Sequence, residues 1–359
     1  MKALHIIGSI KPEAGGASAF IDSLIKNKSS KIHHHILCSD KNINNDTISY
    51  YKSYFGNLHL STSILIWLFR NANKYDVLII HSTRNFYLIA AYLVNTIYQK
   101  KILVFLHGSL HTLIKEKKNI YDKIKILYFQ LIDRNILKTK NIIIICTSLR
   151  EKHIIKKYIT KPKNKLLLLN LGIIAKKSHS YKKKNYYLYL GRFDKIKRLN
   201  LICKTFSSLD LKKCKILLVG KFNNYSESLR KKYKKNKNVI FKNFVYKYKK
   251  FQLIREAKAL ILASYSENFS ISAIECLSQG TPVIISQNLD IANLVKNKRL
   301  GLTFYPNEDN LKKKILEFNK IPKFILRNIS IRARKVFLHN YDINIVTQKF
   351  EKNLKRIIN

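Results

Sequence analysis

Two glutamates, Glu267 and Glu275, stand eight positions apart in the stretch SYSENFSISAIECLSQGTPVIIS, Ser264 to Ser286. Between them the chain reads as a loop and the start of a helix. Ser270 precedes an apolar pattern at Ile271, Ile274 and Leu277, which is the place of an N-cap. Gly280 reads as the residue that closes the helix, and Pro282 prevents its return. Val283-Ile284-Ile285 then reads as a strand buried on both faces. A helix start offers unpaired N–H groups and the positive end of a dipole, so this one suits a phosphate, with a carboxylate on either side. Only 21 of 359 residues are acidic, so a chance pair inside this frame is uncommon. The alternative reading of Glu275 is a solvated helix face.

Other residues form smaller patterns. Gly15-Gly16 opens a helix after the first strand, where backbone can approach a ligand closely. That loop, Gly8 to Ser18, lacks the G-x-G-x-x-G spacing of a dinucleotide site, which counts against a dehydrogenase. Thr147-Ser148-x-x-Glu151 reads as a capping box. His107-Gly108 and His81 end strands, and the run His33–His35 starts one as a local accident of composition rather than a metal site. No Asp-x-Asp occurs, and no His/Cys/Asp cluster replaces it, so no metal is expected.

These residues need strands to hold them. Apolar runs without strict alternation fall at Leu4–Gly8, His35–Cys38, Val77–His81, Ile102–Leu106, Ile142–Cys146 and Leu166–Leu169. Helical stretches such as Ala17–Lys26 and Ile120–Leu137 lie between them, giving a doubly wound α/β domain over residues 1–174. A polar, charged stretch, 175–184, reads as a linker. The rhythm restarts at Tyr186–Leu190, Ile216–Gly220, Val239–Phe241, Ala259–Ala263, Val283–Ile285 and Leu302–Phe304, a second such domain over 185–340. Residues 341–359 read as a basic amphipathic helix.

Length and composition agree with two globular domains, since 46% of the residues are hydrophobic. The net charge of +48 is extreme. It is spread along the whole chain, and Lys, Asn, Ile and Tyr are abundant throughout, so compositional drift accounts for most of it. The five cysteines have no CxxC spacing and read as free thiols in a reducing compartment. The amino terminus is too short and strand-like for a signal peptide, and no apolar run reaches the ~20 residues of a membrane span.

The E-x7-E frame, with the Gly-x-Pro-strand behind it, resembles the signature of the retaining nucleotide-sugar glycosyltransferases of family four (group one). The resemblance implies the α/β GT-B fold, two doubly wound Rossmann-like domains facing across a cleft, with the terminal helix in 341–359 crossing back to the first domain. Gly191-Arg192-x-x-x-x-Lys197 is similar to the family's G-R-x-x-x-x-K, which implies that Arg192 and Lys197 take the donor diphosphate, with Gly16 approaching it. A pyrophosphate gains charge as it leaves, and fixed cations stabilise that charge. By the same resemblance Glu275 bonds the donor ribose, and Glu267 with Asn268, Phe269 and Ser270 holds the transferred sugar. His107 lies over the sugar ring, where a neutral imidazole can donate and accept. Glu267 and His107 are the expected catalytic pair. The position of Ser270 is commonly Gly in the family, and Leu171-Gly172 stands where Asn-Gly is usual.

The implied activity is retaining, metal-independent hexosyl transfer to a glycan or lipid-linked glycan, in bacterial surface polysaccharide assembly. The nucleotide sugar is a substrate and no cofactor is expected. The alternatives are a sugar-nucleotide epimerase of the same fold and a basic nucleic-acid-binding protein; diffuse charge and the lack of a binding motif count against the latter. The expected location is cytoplasmic, at most peripheral on the inner face of the membrane. There, the stretch Lys115–Lys138, with Ile120, Ile124, Leu127 and Leu131 among lysines, is either a membrane-resting helix or a plain crossover helix.

Overall fold

The computed structural model describes residues 1–41, 46–54, 59–114, 119–159, 165–174, 183–209 and 214–358. Most of the expected linker, 175–182, and Lys115 to Lys118 of the basic stretch lie outside them. The chain divides into two units, Met1–Gly172 with Ile343–Asn359, and Ile173–Asp342. The first division falls two residues before the expected end of the first domain.

Short runs of Ile, Leu and Val, apolar on both faces, have no stable place except the middle of a parallel sheet. In the first unit they form β1 (Lys2–Ile6), β2 (His33–Cys38), β3 (Ile48–Tyr50), β4 (Val77–His81), β5 (Lys101–Phe105), β6 (Ile142–Cys146) and β7 (Leu166–Leu168). All pair in parallel in the order β3-β2-β1-β4-β5-β6-β7. The second unit has β8 (Tyr186–Leu190), β9 (Lys215–Val219), β10 (Val239–Lys242), β11 (Leu260–Leu262), β12 (Val283–Ser286) and β13 (Gly301–Phe304). Their order is β10-β9-β8-β11-β12-β13, again parallel. Each unit has its own core: Leu4, Ile80, Val104 and Ile144 in the first, and Tyr189, Leu218, Ile261 and Ile284 in the second.

Both strand orders reverse direction about a central pair, β1 with β4 and β8 with β11. At such a switch point the loops leaving the two strands turn to opposite faces and open a crevice at the carboxyl ends, where ligands of open α/β sheets bind. Three of the loops that carry sequence motifs leave these central strands. Gly8–Ser18 follows β1, Gly191–Lys197 follows β8, and Ser264–Ser270 follows β11.

The helix Ile343–Ile358 belongs to the first unit. It buries Ile343, Val346, Thr347, Phe350 and Leu354, one face at helical spacing. Asn27 donates to Thr347 Oγ1 at 2.9 Å, and Phe350 meets Phe105 edge-on. Among the described residues, no helix is long and apolar enough to cross a membrane.

Candidate active site

In the second unit the loop after β8 begins at Gly191 and tightens into a 3₁₀ turn, Lys195–Lys197, capped by Asp194, whose carboxylate accepts Ile196 N–H at 2.9 Å. The turn brings Lys197 Nζ to 3.0 Å from Glu267 Oε1, in the loop after β11. Ser264 donates to the same carboxylate at 2.6 Å. The two sequence motifs therefore meet, as an ion pair between the residue expected to hold diphosphate and the residue expected to hold sugar. Arg192 is exposed, with no hydrogen bond or ion pair to its guanidinium among the described residues. Tyr189 O–H donates to its carbonyl at 2.7 Å and fixes its backbone.

The helix Ile271–Ser278 starts one residue after Phe269-Ser270 and ends as the sequence pattern requires. Gly280 N–H bonds Leu277 O at 3.0 Å and Thr281 N–H bonds Cys276 O at 2.9 Å, with Gly280 at φ +67°, the hydrogen-bond pair of a Schellman motif. Its start departs from expectation. Ser270 occupies the N-cap position, but its φ of 53° is left-handed and its side chain caps nothing. The left-handed backbone turns Oγ away from the first N–H groups and into the protein, where it is buried without a hydrogen-bond partner among the described residues. Holding a non-glycine residue there costs about 1–2 kcal/mol.

Glu275 is buried, 6% exposed, so it does not decorate a solvated face. Lys250, on the helix Lys247–Glu256, pairs with its Oε1 at 2.5 Å. Lys250 has no sequence signal beyond being one of many lysines. Phe269 packs edge-on against Tyr341 at 5.6 Å, which leaves its backbone, rather than its ring, to serve a ligand.

In the first unit Gly16 begins the helix Gly16–Ile25, with Gly15 at its N-cap. Asp40, after β2, holds the loop before it by accepting from Ser9 Oγ at 3.0 Å and Ile10 N–H at 2.7 Å. His107 follows β5 in a left-handed turn, φ 48°. Glu151 pins that turn: its carboxylate accepts Gly108 N–H at 2.6 Å through Oε1 and Thr147 N–H at 2.8 Å through Oε2. The helix Leu149–Tyr158 is also capped, Ser148 Oγ accepting Glu151 N–H at 3.1 Å. The motif read as a helix cap thus also carries a carboxylate that orients His107. Burial pushes the His107 imidazole down to about 4, so it is neutral at pH 7.

Comparison with known proteins converges on one family. Residues 172–336 match the family model of glycosyl transferases group 1. The second unit belongs to the group 1 glycosyl transferases. A curated relative of the chain is an uncharacterised 41.2 kDa protein in the cps region of Klebsiella pneumoniae, 23% identical over 320 residues, 84% of this chain and 85% of that protein. Among solved structures, HepE of Anabaena, determined with UDP and glucose and with UDP-glucose, gives a TM-score of 0.81 at 14% identity, covering 99% of this chain and 100% of that one. WaaG, a glycosyltransferase involved in lipopolysaccharide biosynthesis, gives 0.72 at 14% identity, covering 97% and 98%. The fold of the chain is GT-B.

Proposed function

We propose that the protein transfers a sugar from a nucleotide-diphosphate donor to a glycan or lipid-linked glycan of a bacterial surface polysaccharide, with retention of anomeric configuration. The start of the helix Ile271–Ser278 carries this reading. Its first N–H groups have no side-chain cap among the described residues, Glu275 behind them is a buried carboxylate, and the Lys197–Glu267 pair lies before them. That arrangement presents N–H donors to a phosphate, the Glu275 carboxylate to a ribose diol, and the Glu267 carboxylate to a sugar. Arg192 and Lys197 take the role of a metal ion at the diphosphate, and no cofactor takes part. Asn268 and Phe269 contribute backbone to the sugar. Gly16 and His107 serve diphosphate and sugar from the first unit. In the reaction the bond between the anomeric carbon and the diphosphate oxygen breaks, and the acceptor oxygen bonds the same face. The acceptor proton passes to the departing phosphate, so no covalent enzyme intermediate is needed.

UDP is the first candidate base, because HepE binds UDP-glucose in this fold. The polysaccharide assignment draws on the cps-region relative and on WaaG. An anionic bilayer is proposed as the acceptor's platform. The helix Ile120–Tyr128 and its continuation expose Ile120, Ile124, Leu127 and Leu131 at 55–63%, beside exposed Lys123 and Lys125. The segment is a crossover between β5 and β6 that packs Phe129, Ile136 and Leu137 on the core, and the stripe is a second apolar face left in solvent.

The test is thermal melting with UDP, UDP-glucose, GDP, ADP and CMP in the absence of metal ions. At 100 times its Kd the correct nucleotide stabilises the fold by ~2.7 kcal/mol. Glu275→Gln is expected to shrink that shift. No shift with any nucleotide, together with tight salt-sensitive binding to RNA or DNA, would overturn the reading. A free epimerised sugar nucleotide formed without acceptor would favour an epimerase.

A further inference from the structure

Four histidines, three on adjacent strands of the first sheet and one just beyond the end of the next, are hydrogen-bonded in series. His34 Nδ1 lies 2.9 Å from His5 Nε2, His5 Nδ1 lies 2.9 Å from His81 Nε2, and His81 Nδ1 lies 2.9 Å from His107 Nε2. The strand register produces the line. Ala3 pairs with His34, Ile79 with His5, and Phe105 with His81. Each histidine therefore stands two residues beyond the register partner of the one before it. Residues two apart share a face of a strand, so the rings descend diagonally across one face from β2 to the end of β5. Burial lowers the basicity of all four, with mutual repulsion adding to it at His5 and His81, and each ring is neutral at pH 7.

A neutral imidazole has one N–H and one bare nitrogen. In a series joined nitrogen to nitrogen, the sense set at one end is copied by every ring. The outer end closes on Ser30 and Glu351. Ser30 Oγ lies 3.2 Å from His34 Nε2 and donates to Glu351 Oε1 at 3.0 Å, and Glu351 also accepts Lys31 N–H at 2.7 Å. A carboxylate can only accept, so the one hydroxyl proton of Ser30 is committed to it. The Ile32 carbonyl, 3.4 Å from the same hydroxyl, is a much weaker acceptor than the carboxylate at 3.0 Å. Ser30 Oγ must then accept from His34 Nε2–H. Each further ring follows, donating through Nε2 and accepting through Nδ1.

We propose that Glu351 is a positioning residue that acts through Ser30, His34, His5 and His81 to hold His107 as its Nε2–H tautomer. The Nδ1 of His107 is then confined to accepting a hydrogen bond, and it selects a ligand hydroxyl that donates. The ligand part rests on the reading of His107 as a sugar-facing group; the tautomer part does not.

The deciding measurement is nitrogen NMR of the full chain labelled with 15N-histidine, in which protonated and bare ring nitrogens have well separated shifts. Signals are assigned with single His→Gln variants. In the wild type all four rings are expected as Nε2–H. Glu351 is half-buried on the helix surface, so Glu351→Lys keeps the fold, and a melting curve checks this. An ammonium only donates, so Ser30 is turned round, the series reverses, and His107 becomes protonated at Nδ1. In a Ser30→Ala background the same substitution leaves His107 unchanged. A wild-type His107 protonated at Nδ1, or a His107 indifferent to Glu351→Lys, overturns the proposal. So does a response that survives Ser30→Ala. Binding of UDP-glucose by His107→Ala tests the sugar-facing role separately, since the tautomer readout needs no ligand.

Discussion

Asp133 sits in the π-helical turn Phe129–Asp133 and is fully buried. Oδ2 accepts Arg84 N–H at 2.9 Å, while Oδ1 has no hydrogen bond among the described residues. Burial raises its carboxyl from 3.8 to about 7, against the pull of Arg84. A folded-state value above the unfolded one means that the protonated form is favoured by folding. The contribution is complete below the unfolded value and is lost as pH rises through about 7. Asp133→Asn cannot lose a proton. Its stability relative to wild type is expected to improve by about 2 kcal/mol between pH 5 and pH 8, read from urea midpoints. No sequence pattern marks this residue, because only the bulge turns it inward. The candidate site residues were legible in part for the same reason. Glu267, Glu275, Arg192 and Lys197 show through order and spacing along the chain. Lys250, Asp40 and the His34–His5–His81 series reach their partners only across strands and helices.

At the scale of elements, strands buried on both faces were the most legible, since continuous apolar runs leave little else to form. The edge strand β3 was not, having three residues that are half-buried or exposed. The end of the helix Ile271–Ser278 could be read from Gly280 and Pro282, but its start could not, because a left-handed serine looks like an ordinary cap in a sequence. Gly280 offers a direct test. A Cβ there would lie 3.0 Å from the Ser330 carbonyl oxygen, on a backbone at φ +67°. Gly280→Ala is expected to cost about 1–2 kcal/mol in chemical denaturation, with the unfolding slope unchanged.

At the scale of the whole molecule, a charge of +48 acts on every anionic surface, so charge alone says little about partners. The exposed stripe of Ile120, Ile124, Leu127 and Leu131 is more specific, because it adds apolar area at one place. Ile124→Ser with Leu127→Ser should weaken sedimentation with vesicles containing anionic lipid several-fold and leave the melting temperature within a degree or two, since exposed side chains contribute little to folding. Equal binding by the double variant would show that diffuse charge is sufficient.

The sequence by itself determined the class of fold and the candidate donor residues of the second unit. Both rest on local order: apolar runs, helix ends, and residues held within one loop and one helix. Tertiary structure decided what those residues touch. It joined Lys197 to Glu267 and Glu275 to Lys250, gave Glu151 the turn at His107, and aligned four histidines. Each of these depends on strand register or on helix placement, which brings together residues that are distant in the chain and share no local pattern.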